Sequence, residues 1–271
     1  WVNDPSGATT REMTGWPALY DITDDWLEAD RTPAEHERLV RDEASLMAGC
    51  AEVVVCSPAL ARTKGAGRSV TLVQNAVDVA AYRVPRERPA DLPDGPVALY
   101  VGTVHTDRID LDLCVATAEA IRGRGRVVLV GPAPLAPGDA TRLVGAGVAL
   151  LGPRDRDDVP AYLQHADVLL VPHVVTPFTE SLDPIKLYEY RAVGRPVVST
   201  PVAGFRDAGD RRVTVAEGAA FADVVARALP APSRFPEGSD DGVPTWADRV
   251  TQMREVLERV HHSRGHGAAT R

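Results

Sequence analysis

The sequence predicts an α/β protein made of two doubly wound parallel-sheet domains, the first incomplete. Three observations carry this. Short β-type runs alternate with helical patterns from Leu19 to Ala228, the order that gives parallel strands joined by right-handed crossovers. The stretch 83–96, with four prolines and six charges, reads as a linker between two such series. At 271 residues, 44% hydrophobic and 25% charged, the chain has ordinary globular composition and room for about two domains.

In the first domain, residues 1–82, positions 1–17 give few periodic signals. Leu19–Ile22 reads as a strand, followed by the acidic corner Thr23-Asp24-Asp25-Trp26. Thr32-Pro33-Ala34-Glu35 is a capping box with Pro at the first helical position, opening an amphipathic helix to about Ala48. Val53–Cys56 is a buried-type strand, Ser57-Pro58 opens a short helix, and Val70–Val73 is a third strand before Gln74-Asn75. Three strands are few for an independent doubly wound domain, and the chain begins at Trp1, so an amino-terminally truncated domain is expected.

The second domain, 97–228, opens with the strand Val97–Val101 and Gly102. A helix over Leu111–Ile121, a strand Arg126–Val130 ending in Gly131, a helix near 139–144, a strand Val148–Leu151 and a helix over 158–165 follow. The strand Asp167–Val171 ends at Pro172, and strands near 197–199 and 212–215 precede a helix over 218–228. Residues 229–262 read as a second Pro-rich linker and a last amphipathic helix, Trp246 to about His261; 263–271 read as a disordered tail.

Composition excludes several classes. A net charge of −8 argues against a nucleic-acid partner. No apolar run approaches the ~20 residues of a transmembrane helix, and no signal peptide is visible. Cys50, Cys56 and Cys114 lack C-x-x-C spacing and read as reduced core thiols, fitting a cytoplasmic protein. Asp24-Asp25 and Asp110-Leu111-Asp112 invite a metal reading. The latter pair, however, starts a helix, where acids are favoured anyway, and no metal site is expected. His261, His262 and His266 fall at the tail.

The chemistry concentrates at 172–204, PHVVTPFTESLDPIKLYEYRAVGRPVVSTPVAG. Asp183 reads as an N-cap with Pro184 at the first helical position; Ile185, Tyr188 and Ala192 share an apolar stripe; Gly194 stops the helix. Lys186 and Glu189 share one face near the positive helix end. A helix start carrying a lysine suits a diphosphate, and a glutamate one turn on suits sugar hydroxyls. Glu180, Ser181, Leu182 and Asp183 form the loop whose N–H groups would face that anion. No G-x-S-x-G elbow surrounds Ser181, which argues against a nucleophile. Gly102 opens a strand-to-helix turn able to cradle phosphate, and His173 sits just past a strand end, where such folds bind ligands. No strand is followed by G-x-G-x-x-G, so a dinucleotide dehydrogenase reads poorly.

The run S-L-D-P-I-K-L-Y-E-Y-x-A-x-G-x-P-V-V-S-T resembles the donor-binding motif of GT-B glycosyltransferases of family 4, or group 1, in the bacterial branch that builds cell-surface polysaccharides. The resemblance implies two Rossmann-like domains facing across a cleft, with the carboxyl-terminal helix crossing back to the first. It implies that Glu189 holds the ribose of a UDP- or GDP-sugar and that the preceding residues wrap its diphosphate. Many members carry Glu-x7-Glu; here Ser181 holds the first position, with Glu180 one place early. Thr103 stands where the family often has Arg, Arg108 falls on a lysine position that contacts diphosphate, and Arg154 stands in the loop Gly152-Pro153-Arg154 that in the family lies near the base. Lys186 is the natural substitute for the missing cation. The implied reaction moves a glycosyl group to an acceptor hydroxyl, retaining configuration, without metal or other cofactor, and no catalytic residue is assigned. The acceptor would be a saccharide or lipid-linked, met at the inner membrane face by a cytoplasmic or peripheral enzyme. A GT-B nucleotide-sugar epimerase and a non-catalytic nucleotide-sugar-binding remnant are the alternatives.

Overall fold

A computed structural model describes residues 1–29, 31–230 and 242–267. The chain forms two compact units. The first comprises 1–76, 180–184 and 244–271, and the second 77–179 and 185–243.

The first unit begins with a 3-10 turn, Pro5–Gly7, and α1, Ala8–Thr14. Then come β1 (Leu19–Ile22), α2 (Pro33–Gly49), β2 (Glu52–Val55), α3 (Pro58–Lys64) and β3 (Thr71–Leu72). The three strands are parallel in the order β1-β2-β3, with Leu19 opposite Glu52. The capping box forms as its residues dictate: Glu35 N–H donates to Thr32 Oγ1, and Thr32 N–H donates to the Glu35 carboxylate. Ser57 caps α3 through Leu60 N–H at 3.0 Å. Tyr20, Ile22, Val53 and Val55 alternate onto one sheet face and pack with Leu46 and Leu60.

The second unit starts with α4 (Val79–Arg83) and continues through β4 (Val97–Val101), α5 (Leu111–Ala120), β5 (Arg126–Val130), α6 (Pro137–Ala146), β6 (Ala149–Gly152), α7 (Val159–Gln164) and β7 (Val168–Val171). Then follow α8 (Pro177–Glu180), α9 (Ile185–Val193), β8 (Val197–Ser199), β9 (Val213–Val215) and α10 (Gly218–Ala228). The sheet is wholly parallel, in the order β6-β5-β4-β7-β8-β9. Both faces are covered, so these strands are nearly continuous apolar runs. Leu99, Val128 and Leu169 pack with Tyr162, Tyr188 and Tyr190 on one side, while Ala98, Leu129 and Leu170 pack with Cys114, Phe221 and Val225 on the other. The chain winds outward from β4 to β6, then returns to β4's other side at β7. That reversal opens a crevice at the carboxyl ends of β4 and β7.

The last helix, α11 (Trp246–Gly267), belongs to the first unit, where Val256 is fully buried against Leu19 and Val54. These two residues alternate onto the sheet face opposite Tyr20 and Val55. The helix runs past the expected end at His261 into the expected disordered tail, and the Ser263 hydroxyl donates to Val260 O. Residues 268–271 of that tail and 231–241 of the second expected linker lie outside the described residues.

The expected linker 83–96 is packed rather than free, and the units divide after Ala76 rather than after residue 82. Val77, Tyr82 and Leu92 are buried in the second unit's core. Gln164 Nε2 donates to the carbonyls of Tyr82 and Val84, and Arg86 N–H donates to Gln164 Oε1. Prolines removed the strand and helix patterns here without removing the apolar anchors. All three cysteines are buried and free. Among the described residues no helix is long and apolar enough to cross a membrane, and no cluster of three or more His, Cys, Asp or Glu could hold a metal ion.

Candidate functional site

The β4–β7 crevice of the second unit collects the side chains. Gly102 follows β4 with φ +147°, and a Cβ there would lie 2.7 Å from Lys186 Nζ and Cε and 2.9 Å from Tyr100 OH. Lys186, on the first turn of α9, therefore lies directly over the bare backbone of Gly102. Its ammonium is 5.3 Å from the centre of the Tyr100 ring. It has no hydrogen-bond or ion-pair partner among the described residues. Burial lowers its pKa below the ordinary lysine value; Glu189 opposes the shift and Arg108 adds to it. An unpaired, desolvated cation at a helix start is a site prepared for an anion.

His173 follows β7 and is buried, its Nε2 3.3 Å from Tyr100 OH. Burial, with the charges of Lys186 and Arg108, pushes it down to about 3, so it is neutral near pH 7. Thr200, just past β8, donates its hydroxyl to His173 O at 2.7 Å and fixes the loop. The loop after β4 is tied to the same place: Ile109 bridges His173, and Val174 N–H donates to Arg108 O. The Arg108 guanidinium lies 5.2 Å from the Phe178 ring centre.

Glu189 is one turn beyond Lys186, yet the two do not form an ion pair. Its Oε1 accepts from Tyr82 OH at 2.6 Å instead. Burial and the neighbouring carboxylate raise the Tyr82 hydroxyl above its ordinary pKa, so it remains a donor.

The structure thus brings Gly102, Arg108, His173, Lys186 and Glu189 into one region of the second unit. Arg154 lies two strands away after β6, paired with Asp91 and donating to Tyr162 OH at 2.7 Å. Glu180, Ser181, Leu182 and Asp183 fall in the first unit. There Ser181 O accepts from Ser57 Oγ at 2.6 Å, and the buried Asp183 carboxylate accepts from Asn75 N–H. Tyr82, Tyr100 and Thr200 were not singled out from sequence. Tyr82 stands 107 residues from Glu189, in a stretch without a motif.

The family model for glycosyl transferases group 1 matches residues 95–230, the segment that builds this crevice and its sheet. The chain belongs to the group 1 glycosyl transferases. It is 25% identical over 222 residues to TuaH of Bacillus subtilis (strain 168), a glycosyltransferase named for teichuronic acid biosynthesis. That match takes in 74% of this chain but 54% of TuaH, so the chain spans little more than half of that relative's length. Among solved structures it is similar to HepE of Anabaena in complex with UDP-glucose, with a TM-score of 0.70 at 16% identity over 93% of this chain and 75% of that one. It is also similar to sucrose-phosphate synthase from Thermosynechococcus elongatus, with a TM-score of 0.68 at 22% identity, covering 96% and 73%. This group 1 member has the α/β, parallel-sheet GT-B fold of those structures.

Proposed function

We propose that the chain carries the donor site of a glycosyltransferase that moves a sugar from a nucleotide-sugar to an acceptor hydroxyl. One observation carries the reading: the unpartnered Lys186 ammonium over Gly102, one turn from Glu189, in the switch-point crevice of a group 1 glycosyl transferase. Lys186 binds the diphosphate and Glu189 the ribose diol, with Gly102 letting the phosphates approach the backbone. His173, neutral, offers a hydrogen bond beside the donor, and Arg108 adds positive charge.

In the reaction the bond from the sugar's anomeric carbon to the diphosphate breaks, and its electron pair leaves with the phosphate. The acceptor oxygen bonds that carbon on the same face, and its proton passes to the departing diphosphate, so configuration is retained. Lys186 and the α9 N-terminus stabilise the departing charge, the role that would otherwise fall to a metal ion. The teichuronic acid name of TuaH supports a role in cell-surface polysaccharide synthesis, with a saccharide or lipid-linked acceptor met at the inner membrane face.

Calorimetric titration of UDP, GDP and ADP, with and without EDTA, against the chain and Lys186→Met tests this. One diphosphate should bind, insensitive to EDTA, and weaken about tenfold or more in the variant, as expected when a charged hydrogen bond is lost. Absence of binding by a chain with a normal circular dichroism spectrum would sink the reading.

A further inference from the structure

Lys186 and Glu189 are opposite charges three residues apart on one helix, the spacing at which such side chains normally pair. Here each is turned aside by a tyrosine. Lys186 lies over the Tyr100 ring, and Glu189 accepts the Tyr82 hydroxyl at 2.6 Å. Tyr82 is held in turn. It is buried in α4, its carbonyl accepts from Gln164 Nε2 at 2.9 Å, and its neighbours Val79 and Ala81 pack on the same core. The hydroxyl therefore reaches Glu189 from a fixed wall.

We infer that Tyr82 is the positioning residue of the donor site: its hydroxyl fixes one oxygen of Glu189, keeps the carboxylate off Lys186, and leaves the other oxygen to read a ribose diol. The inference rests on the donor-site reading above. A carboxylate that accepts one fixed bond cannot swing into self-neutralising contact with the lysine, so both charges remain available to a nucleoside diphosphate. Burial also keeps the phenol protonated, so the bond persists over the working pH range.

The readout is the ratio of Kd for the 2′,3′-dideoxy nucleotide to Kd for the ribonucleotide, taken with UDP, GDP or ADP, whichever binds tightest. For the native chain the ratio should be about ten, the worth of hydrogen bonds to a charged group. Tyr82→Phe keeps the ring that fills the core and should bring the ratio to within about twofold of unity, as should Glu189→Gln. The double substitution should do no more than either alone. A structural role would weaken both nucleotides equally in Tyr82→Phe and leave the ratio at its native value, which overturns the inference. So would a native chain that binds a diphosphate without discriminating the sugar, or a Glu189→Gln variant that still discriminates. A native chain that binds none of the three diphosphates overturns the donor-site reading itself, and this inference with it.

Discussion

His173 is a base that burial holds away from its proton. For His173 the folded value of about 3 lies below the ordinary 6.5. Between those values the unfolded chain takes up a proton that the folded chain refuses, so stability falls as pH drops through the window. His173→Asn keeps a polar group at the Tyr100 hydroxyl but cannot titrate. Its melting temperature should fall less between pH 7 and 5 than that of the native chain, by the equivalent of roughly 1 kcal/mol per pH unit. Parallel melting curves would show that His173 does not refuse the proton. Lys186 and Glu189 were legible in the sequence because helical spacing puts them on one face inside a run that resembles the donor-binding motif of the family. The partners that decide their orientation, Tyr100 and Tyr82, were not. One is a strand residue in a run that reads as plain core, and the other comes from a distant helix. Only tertiary packing brings a hydroxyl 107 residues away onto a carboxylate.

At the scale of elements, the ends of β4 and β5 interlock through glycine. Gly131 has φ +139°, and a Cβ there would collide with the carbonyl oxygen of Gly102, which is backbone and cannot swing away. At Gly102 the obstacles are side-chain ends, that of Lys186, which can, and the Tyr100 hydroxyl. The two alanine substitutions should therefore separate. Gly131→Ala should lower stability by about 2–4 kcal/mol, read by denaturant unfolding. Gly102→Ala should lose less stability but weaken diphosphate binding by displacing the lysine, read by calorimetry. Equal stability losses with binding intact would contradict this arrangement. Elements with local punctuation were legible: the Thr32–Glu35 box, Ser57 before Pro58 and Gly194 after α9 each carry their own signal. The short helices α1, α4 and α8 escaped because four to seven residues give too few apolar positions for a period. The packing of 83–96 escaped because Leu92 is a single anchor among prolines.

At the scale of the whole molecule, the first unit is assembled from three separate lengths of chain, and α11 supplies the cover for Leu19 and Val54. All four tryptophans, at 1, 16, 26 and 246, fall within it, so indole fluorescence reports this unit alone. Val256→Asp would bury a carboxylate without a partner and should move the fluorescence-detected transition by about 3 kcal/mol or more, whereas Val256→Ile should change it by under ~1.5 kcal/mol. An unshifted transition in the Asp variant would mean that α11 does not complete this core. The same arrangement sets an order in time. A ribosome must make residues 77–243 after β3 is finished and before α11 begins. At ~5–20 residues per second that is a wait of roughly ten to thirty seconds. Through it one face of the first sheet stays uncovered while the second unit, made later, already has its own core residues in hand. Of the two units, the one whose strands are made before the other is thus the one completed after it, and the sheet face that α11 covers is what a nascent-chain chaperone would meet.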